Sequence, residues 1–190
     1  MSASIRSQKY QERGARARRH NHALVALGRR VWQEDCTFET AIAEICEVAA
    51  DTLELERVNV WRVEAETQQL RCVHAYFRSE EMHNPPGYEE CLLLESEYST
   101  QLGEVRVIDI TDVGNDSTVS ASERMLGAYL RRHDIHSLLD APIRAEGVLL
   151  GVVCHAHVGS ARVWTPEDYA FAGSIGDYIA VAYEIARRRE

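Results

Sequence analysis

The chain predicts an α+β fold in which a central antiparallel sheet carries helices on one face. Three observations point there. Residues 136–145 and 148–158 read as the two strands of a hairpin that turns at Glu146-Gly147. Arg57-Val-Asn-Val-Trp-Arg-Val63 alternates with period two and is rich in β-branched residues. From Pro166 to the chain end, apolar residues keep helical spacing. A hairpin needs antiparallel neighbours, and an amphipathic helix needs a sheet or another helix to cover.

Taken in order, residues 1–21 form a basic arm, expected as a solvated helical leader. From 22 to 33, Leu24, Leu27 and Val31 fall on one helical face. Thr37 can N-cap a second helix, in which Phe38, Ile42, Ile45, Ala49 and Leu53 keep the period. The strand over 57–63 follows, then a turn over 64–69 and a second strand over 70–77. Residues 78–103 are irregular, broken by Asn84-Pro-Pro-Gly87, with a short helix expected over 89–102. A short strand is expected over 105–110. Ser120-Ala-Ser-Glu123 has capping-box spacing and opens a helix that ends near His133. After the hairpin, Thr165 is a helix N-cap, Pro166 the first helical residue, and Asp168 stands three beyond the cap.

In the last helix Phe171, Ile175, Tyr178, Ala182 and Ile185 are spaced 4, 3, 4, 3, the pattern of a coiled-coil seam. A second stripe, Ala172, Ile175, Ile179 and Ala186, lies beside it, so the helix needs two partners. One expectation is a parallel homodimer seam built from Leu24, Leu27 and Val31 with Ile175, Tyr178, Ala182 and Ile185. The helix reaches Arg187-Arg-Arg-Glu190 without a glycine or proline stop. That reads either as a basic terminus favoured by the helix dipole or as a helix continuing into another domain.

With 190 residues, 45% apolar and 27% charged, the composition is that of one soluble globular domain and excludes a largely disordered chain. No apolar run approaches the ~20 residues of a membrane-spanning helix, and no secretory leader is recognisable; a cytoplasmic location is expected. The net charge of −9 is uneven. Residues 1–19 hold six basic side chains against Glu12 alone, and the remainder is strongly acidic. Such a body argues against nucleic acid as a partner, because neutralised phosphates supply that affinity. None of the five cysteines has C-x-x-C spacing, so reduced thiols are expected.

The hairpin reads Leu139-Asp-Ala-Pro-Ile-Arg-Ala-Glu-Gly-Val-Leu-Leu-Gly-Val-Val-Cys-His155, followed by Arg162-Val-Trp-Thr-Pro-Glu-Asp168. This resembles the second half of a GAF domain, and the two helices and opening strand fit its first half, over residues 22–188. The resemblance implies a lid of loops and short helices over the sheet face opposite the terminal helices. It implies a sensory module of the kind found ahead of histidine kinases and diguanylate cyclases in bacteria. Such modules bind a small ligand or chromophore, or simply dimerise. Any catalytic output is then expected in another domain or chain. Tyr129-Leu-Arg, residues 138–142 and residues 149–155 are further similar to the chromophore-binding domain of phytochromes. Residues 109–125 contain no cysteine for bilin attachment, and Asp109-Ile-Thr111 lacks the proline of the corresponding motif. Bilin binding is therefore not carried over, and no cofactor is assigned.

The orientation of the hairpin is carried over, and it implies that Leu138, Asp140, His155 and His157 face the ligand cavity. Alternation separates residues 155 and 157 from 154 and 156. Compact Val152, Cys154 and Ala156 are expected against the helices. By the same reasoning Val58 and Val60 pack on helices, while Asn59 and Trp61 face the cavity; His74 is added from the neighbouring strand. Asp140 reads as a ligand-recognising carboxylate or as a cap pairing with Arg144 or a histidine. Trp61 reads as core or as a stacking surface. His155-Ala-His157 supplies two of the three or four ligands that zinc needs, and no metal is assigned. Cys91 and Cys72 leave open a thiol-dependent reductase of the free methionine sulfoxide type. Their spacing does not match that family's clustered loop cysteines, and no catalytic residue is assigned.

Overall fold

The computed structural model describes residues 3–30, 36–113 and 121–189; Val31 of the expected seam and Ser120 of the expected capping box lie outside them. Helices α1 (Ala3–Arg30) and α2 (Phe38–Leu53) precede strands β1 (Arg57–Glu64), β2 (Gln69–Phe77), β3 (Met82–His83) and β4 (Cys91–Leu93). Then come α3 (Ser96–Glu104), β5 (Ile108–Ile110), α4 (Ala121–Arg132), β6 (Ile135–Ala145), β7 (Val148–Val158) and α5 (Pro166–Arg189). The seven-stranded sheet runs β3-β2-β1-β7-β6-β5, with β4 also on β2, and each pairing is antiparallel.

Two apolar clusters cover the two faces. On one face Val58, Val60, Leu139, Ala141 and Val153 pack with α1, α2 and α5. On the other Trp61, Leu138, Val152, Cys154 and Ala156 pack with Tyr98 and Leu102 of α3 and Leu126, Tyr129 and Leu130 of α4. The α+β architecture with a helical face and a lid face is the one expected. The short helix expected over 89–102 divides into β4 and α3.

Local chemistry explains the joints. Thr37 Oγ1 accepts from Thr40 N at 3.2 Å and caps α2. Glu146 and Gly147 both take positive φ, 52° and 79°, as the hairpin turn requires. At Gly151 a Cβ would lie 2.0 Å from Trp61 O, so only glycine lets β7 close on β1. Thr165 and Asp168 cap α5 reciprocally: Thr165 N donates to Asp168 Oδ2 at 3.0 Å and Asp168 N to Thr165 Oγ1 at 3.3 Å.

The structure bears on two expectations. The basic arm, expected as a solvated helical leader, is helical and exposed at residues 10–13, and further along α1 it packs on the start of α5. Arg13 pairs with Glu167, and Arg16 Nη1 lies 3.4 Å from the buried Asp168 carboxylate. His20 is buried, stacks 4.8 Å from Phe171, and its Nδ1 donates to Glu167 O at 3.2 Å. The basic residues thus meet the acidic first turn of α5, where anions are favoured.

The expected dimer seam is likewise spent within the chain. Leu27, Ile175 and Ala182 are buried in the helix-face core, and Leu24 and Tyr178 pack against it, with Tyr178 Oη donating to Leu24 O at 2.8 Å. Ile185 is half-buried. One stripe of α5 faces β6, so closely that a Cβ on Gly176 would meet Pro142 O at 2.8 Å; α1 and α2 take the other. A seam pattern reports a helix with two partners and does not say that one belongs to another subunit.

Candidate functional site

The lid face of the sheet carries a polar row through an apolar surface. Register places Asn59 of β1 opposite Cys154 of β7, and Cys154 opposite Asp140 of β6. Adjacent strands are ~4.8 Å apart, so Asn59 and Asp140 stand roughly 10 Å apart with the thiol between. The neighbouring row holds Arg57, Ala156 and Leu138, and the next holds Trp61 and Val152.

Lid aromatics close over this row. Tyr98 Oη donates to Asp140 Oδ2 at 2.5 Å. Asn59 Nδ2 donates to Tyr88 Oη at 2.8 Å and to Tyr129 Oη at 2.9 Å. The Trp61 ring meets Tyr129 edge-on at 5.3 Å. Arg57 lays its guanidinium 4.4 Å over Phe77. The space remaining among Trp61, Tyr98, Tyr129, Asp140 and Cys154 is about 10 Å³, roughly one water.

Burial sets the electrostatics. It pushes Asp140 up to about 6, an effect partly offset by the Tyr98 hydroxyl and then by the Cys154 thiol. Burial also raises the hydroxyls of Tyr98 and Tyr129, so both remain neutral, Tyr98 as donor to Asp140 and Tyr129 as acceptor from Asn59. Among the described residues, four buried atoms on this face have no partner in hydrogen-bond geometry: Arg57 Nε and Nη1, Asn59 Oδ1 and Asp140 Oδ1. Buried polar atoms are ordinarily satisfied, so four unpaired ones along two adjacent rows set this face apart.

Of the seven residues expected at the cavity, the structure brings together Asn59, Trp61, Leu138 and Asp140 on the lid face. It does not bring the three histidines there. His155 pairs across the sheet with Val58 and Leu139 on the helix face and is buried. Its Nδ1 donates to Leu139 O at 3.1 Å, and burial lowers its pKa to about 4. His157 shares that strand face and lies 3.4 Å from Ser160 Oγ. Alternation separates the two residue sets of β7 without saying which set faces the lid. Tyr98, Tyr129 and Trp61 need room, so compact Val152, Cys154 and Ala156 are the ones beneath them.

His74 is turned by a β-bulge. Val60 pairs with His74 and Trp61 with Cys72, which leaves Val73 as an extra residue. Simple alternation from Leu70 would put His74 on the lid face; the bulge moves it to the helix face. Arg57, Tyr88, Tyr98, Tyr129 and Cys154 are site residues that sequence reasoning missed. Tyr129 stands in a quoted motif and was the nearest to a signal; Tyr88 and Tyr98 lie in the irregular segment, where periodicity says nothing.

Among the described residues no group of three His, Cys, Asp or Glu side chains is placed to hold a metal. Burial raises Cys46, Cys72 and Cys154, Cys72 to about 12, away from thiolate chemistry.

Comparison with known folds places this arrangement. No curated protein sequence matches the chain. The phycocyanobilin-bound GAF domain of a cyanobacterial phytochrome superposes with a TM-score of 0.74 at 16% identity, covering 90% of this chain and 97% of that one. The GAF domain of a phosphoenolpyruvate-protein phosphotransferase from Coxiella burnetii gives 0.68 at 16% identity, with 91% and 97% covered. A far-red cyanobacteriochrome photoreceptor gives 0.63 at 20% identity, with 79% and 87% covered. These likenesses concern the fold. The family model described as GAF domain matches residues 37–183, from the cap of α2 into α5, and the chain belongs to the GAF domain family.

Proposed function

We propose that the chain is the regulatory, sensory domain of a signal-transduction protein. It takes a small ligand between the sheet and the lid and passes occupancy through α5 to an effector in the same polypeptide or in trans. The observation that carries this reading is the set of unpaired buried atoms on Arg57, Asn59 and Asp140. Each such group costs about 1–3 kcal/mol when unsatisfied. A ligand offering an acceptor to Arg57 and donors to Asn59 and Asp140 offsets that cost. To reach them it displaces Tyr98 and Tyr129, so occupancy moves α3 and α4 between two lid positions. A homodimer relays the change through the outward faces of α1 and α5, where Val25 and Val181 are exposed. The partners are the ligand and a second copy of the chain, not nucleic acid. No catalytic step is assigned to the chain; catalytic output belongs to the effector it regulates. No helix among the described residues is long and apolar enough to cross a membrane, and a cytoplasmic setting fits this role.

The alternative is a ligand-free dimerisation module. The close filling of the lid side by Tyr98, Leu126 and Tyr129 favours it. Native mass spectrometry of the purified protein, with an absorbance scan of the same sample, decides between them. A stoichiometric small molecule that is lost from Asp140→Asn and Asn59→Ala supports the sensor. Bare protein that gains no thermal stability from a cell metabolite extract leaves the dimerisation module.

A further inference from the structure

A larger recess lies on the other face of the sheet. It measures about 360 Å³ and opens between the start of α2, the end of α5 and the bulged edge of the sheet. This is within the range of small-molecule sites. Phe38 and Ile42 of α2 and Ile179 and Tyr183 of α5 form its walls, with the Phe38 and Tyr183 rings edge-to-face at 5.8 Å. Gly151 leaves its floor bare. One end is polar, lined by the buried His74 and the exposed Asn84. The bulge at Val73 creates this end by turning His74 away from the lid.

His74 heads a hydrogen-bonded chain with one direction. Ala75 N donates to Asn84 Oδ1 at 2.9 Å, which turns Asn84 Nδ2 toward His74 Nδ1 at 3.4 Å. His74 Nδ1 therefore accepts, and its Nε2 carries the hydrogen donated to His83 Nδ1 at 2.9 Å. His83 Nε2 donates in turn to Glu47 Oε1 at 2.7 Å. A carboxylate at the far end polarises the chain and makes Nδ1 a better acceptor. Yet among the described residues Nδ1 receives only the long Asn84 contact. Burial and the neighbouring His83 lower His74 to about 4, so the ring is neutral near pH 7. At the recess's mouth Glu39 and Arg62 bring opposite charges, which favours no net charge in an occupant.

We propose that this recess is a second ligand site, for a small, neutral, hydroxyl-bearing aromatic molecule whose O–H donates to His74 Nδ1. It lies across the sheet from the lid and does not rest on the lid reading. An occupant touches α5 directly, without any lid movement.

The test is fluorescence titration with 2-naphthol and, in parallel, naphthalene. Wild type is expected to bind 2-naphthol at least tenfold more tightly than naphthalene. His74→Phe is expected to erase that preference, Leu150→Trp to block both compounds, and Asp140→Asn to change neither. If His74→Phe fails to fold, the comparison of the two compounds on wild type still decides. Equal affinity for both, no binding of either, or loss of binding in Asp140→Asn with retention in Leu150→Trp overturns the proposal.

Discussion

Asp140 and His155 are both buried at mid-strand and respond to pH in opposite senses. Burial holds Asp140 near 6 against an ordinary 3.8, so the folded chain keeps a proton that the unfolded chain releases. Its contribution is fully present below about pH 4 and is lost as pH rises through about 6. Asp140→Asn is therefore expected to gain on wild type between pH 4 and 6 and to level off above, by at most about 3 kcal/mol. Urea unfolding across that range measures it, and a flat difference would count against the buried carboxyl. His155 is held near 4 against 6.5, so its stabilisation is present above pH 6.5 and is lost as pH falls toward 4. His74 adds the same sign. His155→Asn can keep the bond to Leu139 O and removes the titration. It is expected to lose less stability than wild type on acidification from pH 6.5 to 4, whatever its stability at neutral pH.

At the scale of elements, α3 is joined to the sheet by one buried donor. Tyr98→Phe leaves Asp140 Oδ2 without its hydrogen bond and is expected to cost about 1–3 kcal/mol. It is also expected to raise the carboxyl's pKa further, which carbon-detected NMR titration reads directly. The pairing of β1 with β7 depends on Gly151. Gly151→Ala puts a methyl group onto Trp61 O and is expected to lose about 3 kcal/mol or more, seen as a lower urea midpoint. The start of α5 was legible to the residue, because a Thr-Pro-x-Asp string defines a cap by itself. The bulge in β2 was not: nothing in Arg71-Cys-Val-His74 marks where an extra residue enters, since bulges answer the pairing strand.

For the whole molecule, the apolar stripes of α5 are internal. Ile175→Ala and Leu27→Ala are expected to cost about 2–5 kcal/mol each without changing the oligomeric state of the folded fraction. Light scattering on Val25→Glu and Val181→Glu is expected to show dissociation if α1 and α5 join a homodimer by their outer faces. Retained dimer in the second pair, or dissociation in the first, would place the interface elsewhere.

Periods, caps and turns, and with them the order of elements and the α+β class, are written in the local sequence. These depend on neighbours within a few residues, where φ/ψ preference and side-chain spacing act. The hairpin orientation that the GAF resemblance implies puts Leu138 and Asp140 on the lid face, where they lie, and His155 and His157 with them, where they do not. Which side of β7 meets the lid, where His74 turns, and how the stripes of α5 are covered are set by packing between distant segments. Those depend on volume matched across layers: bulky Tyr98 and Tyr129 require Cys154 and Ala156 beneath them, and the helices take His155. No local pattern encodes that match, because its two halves lie far apart along the chain.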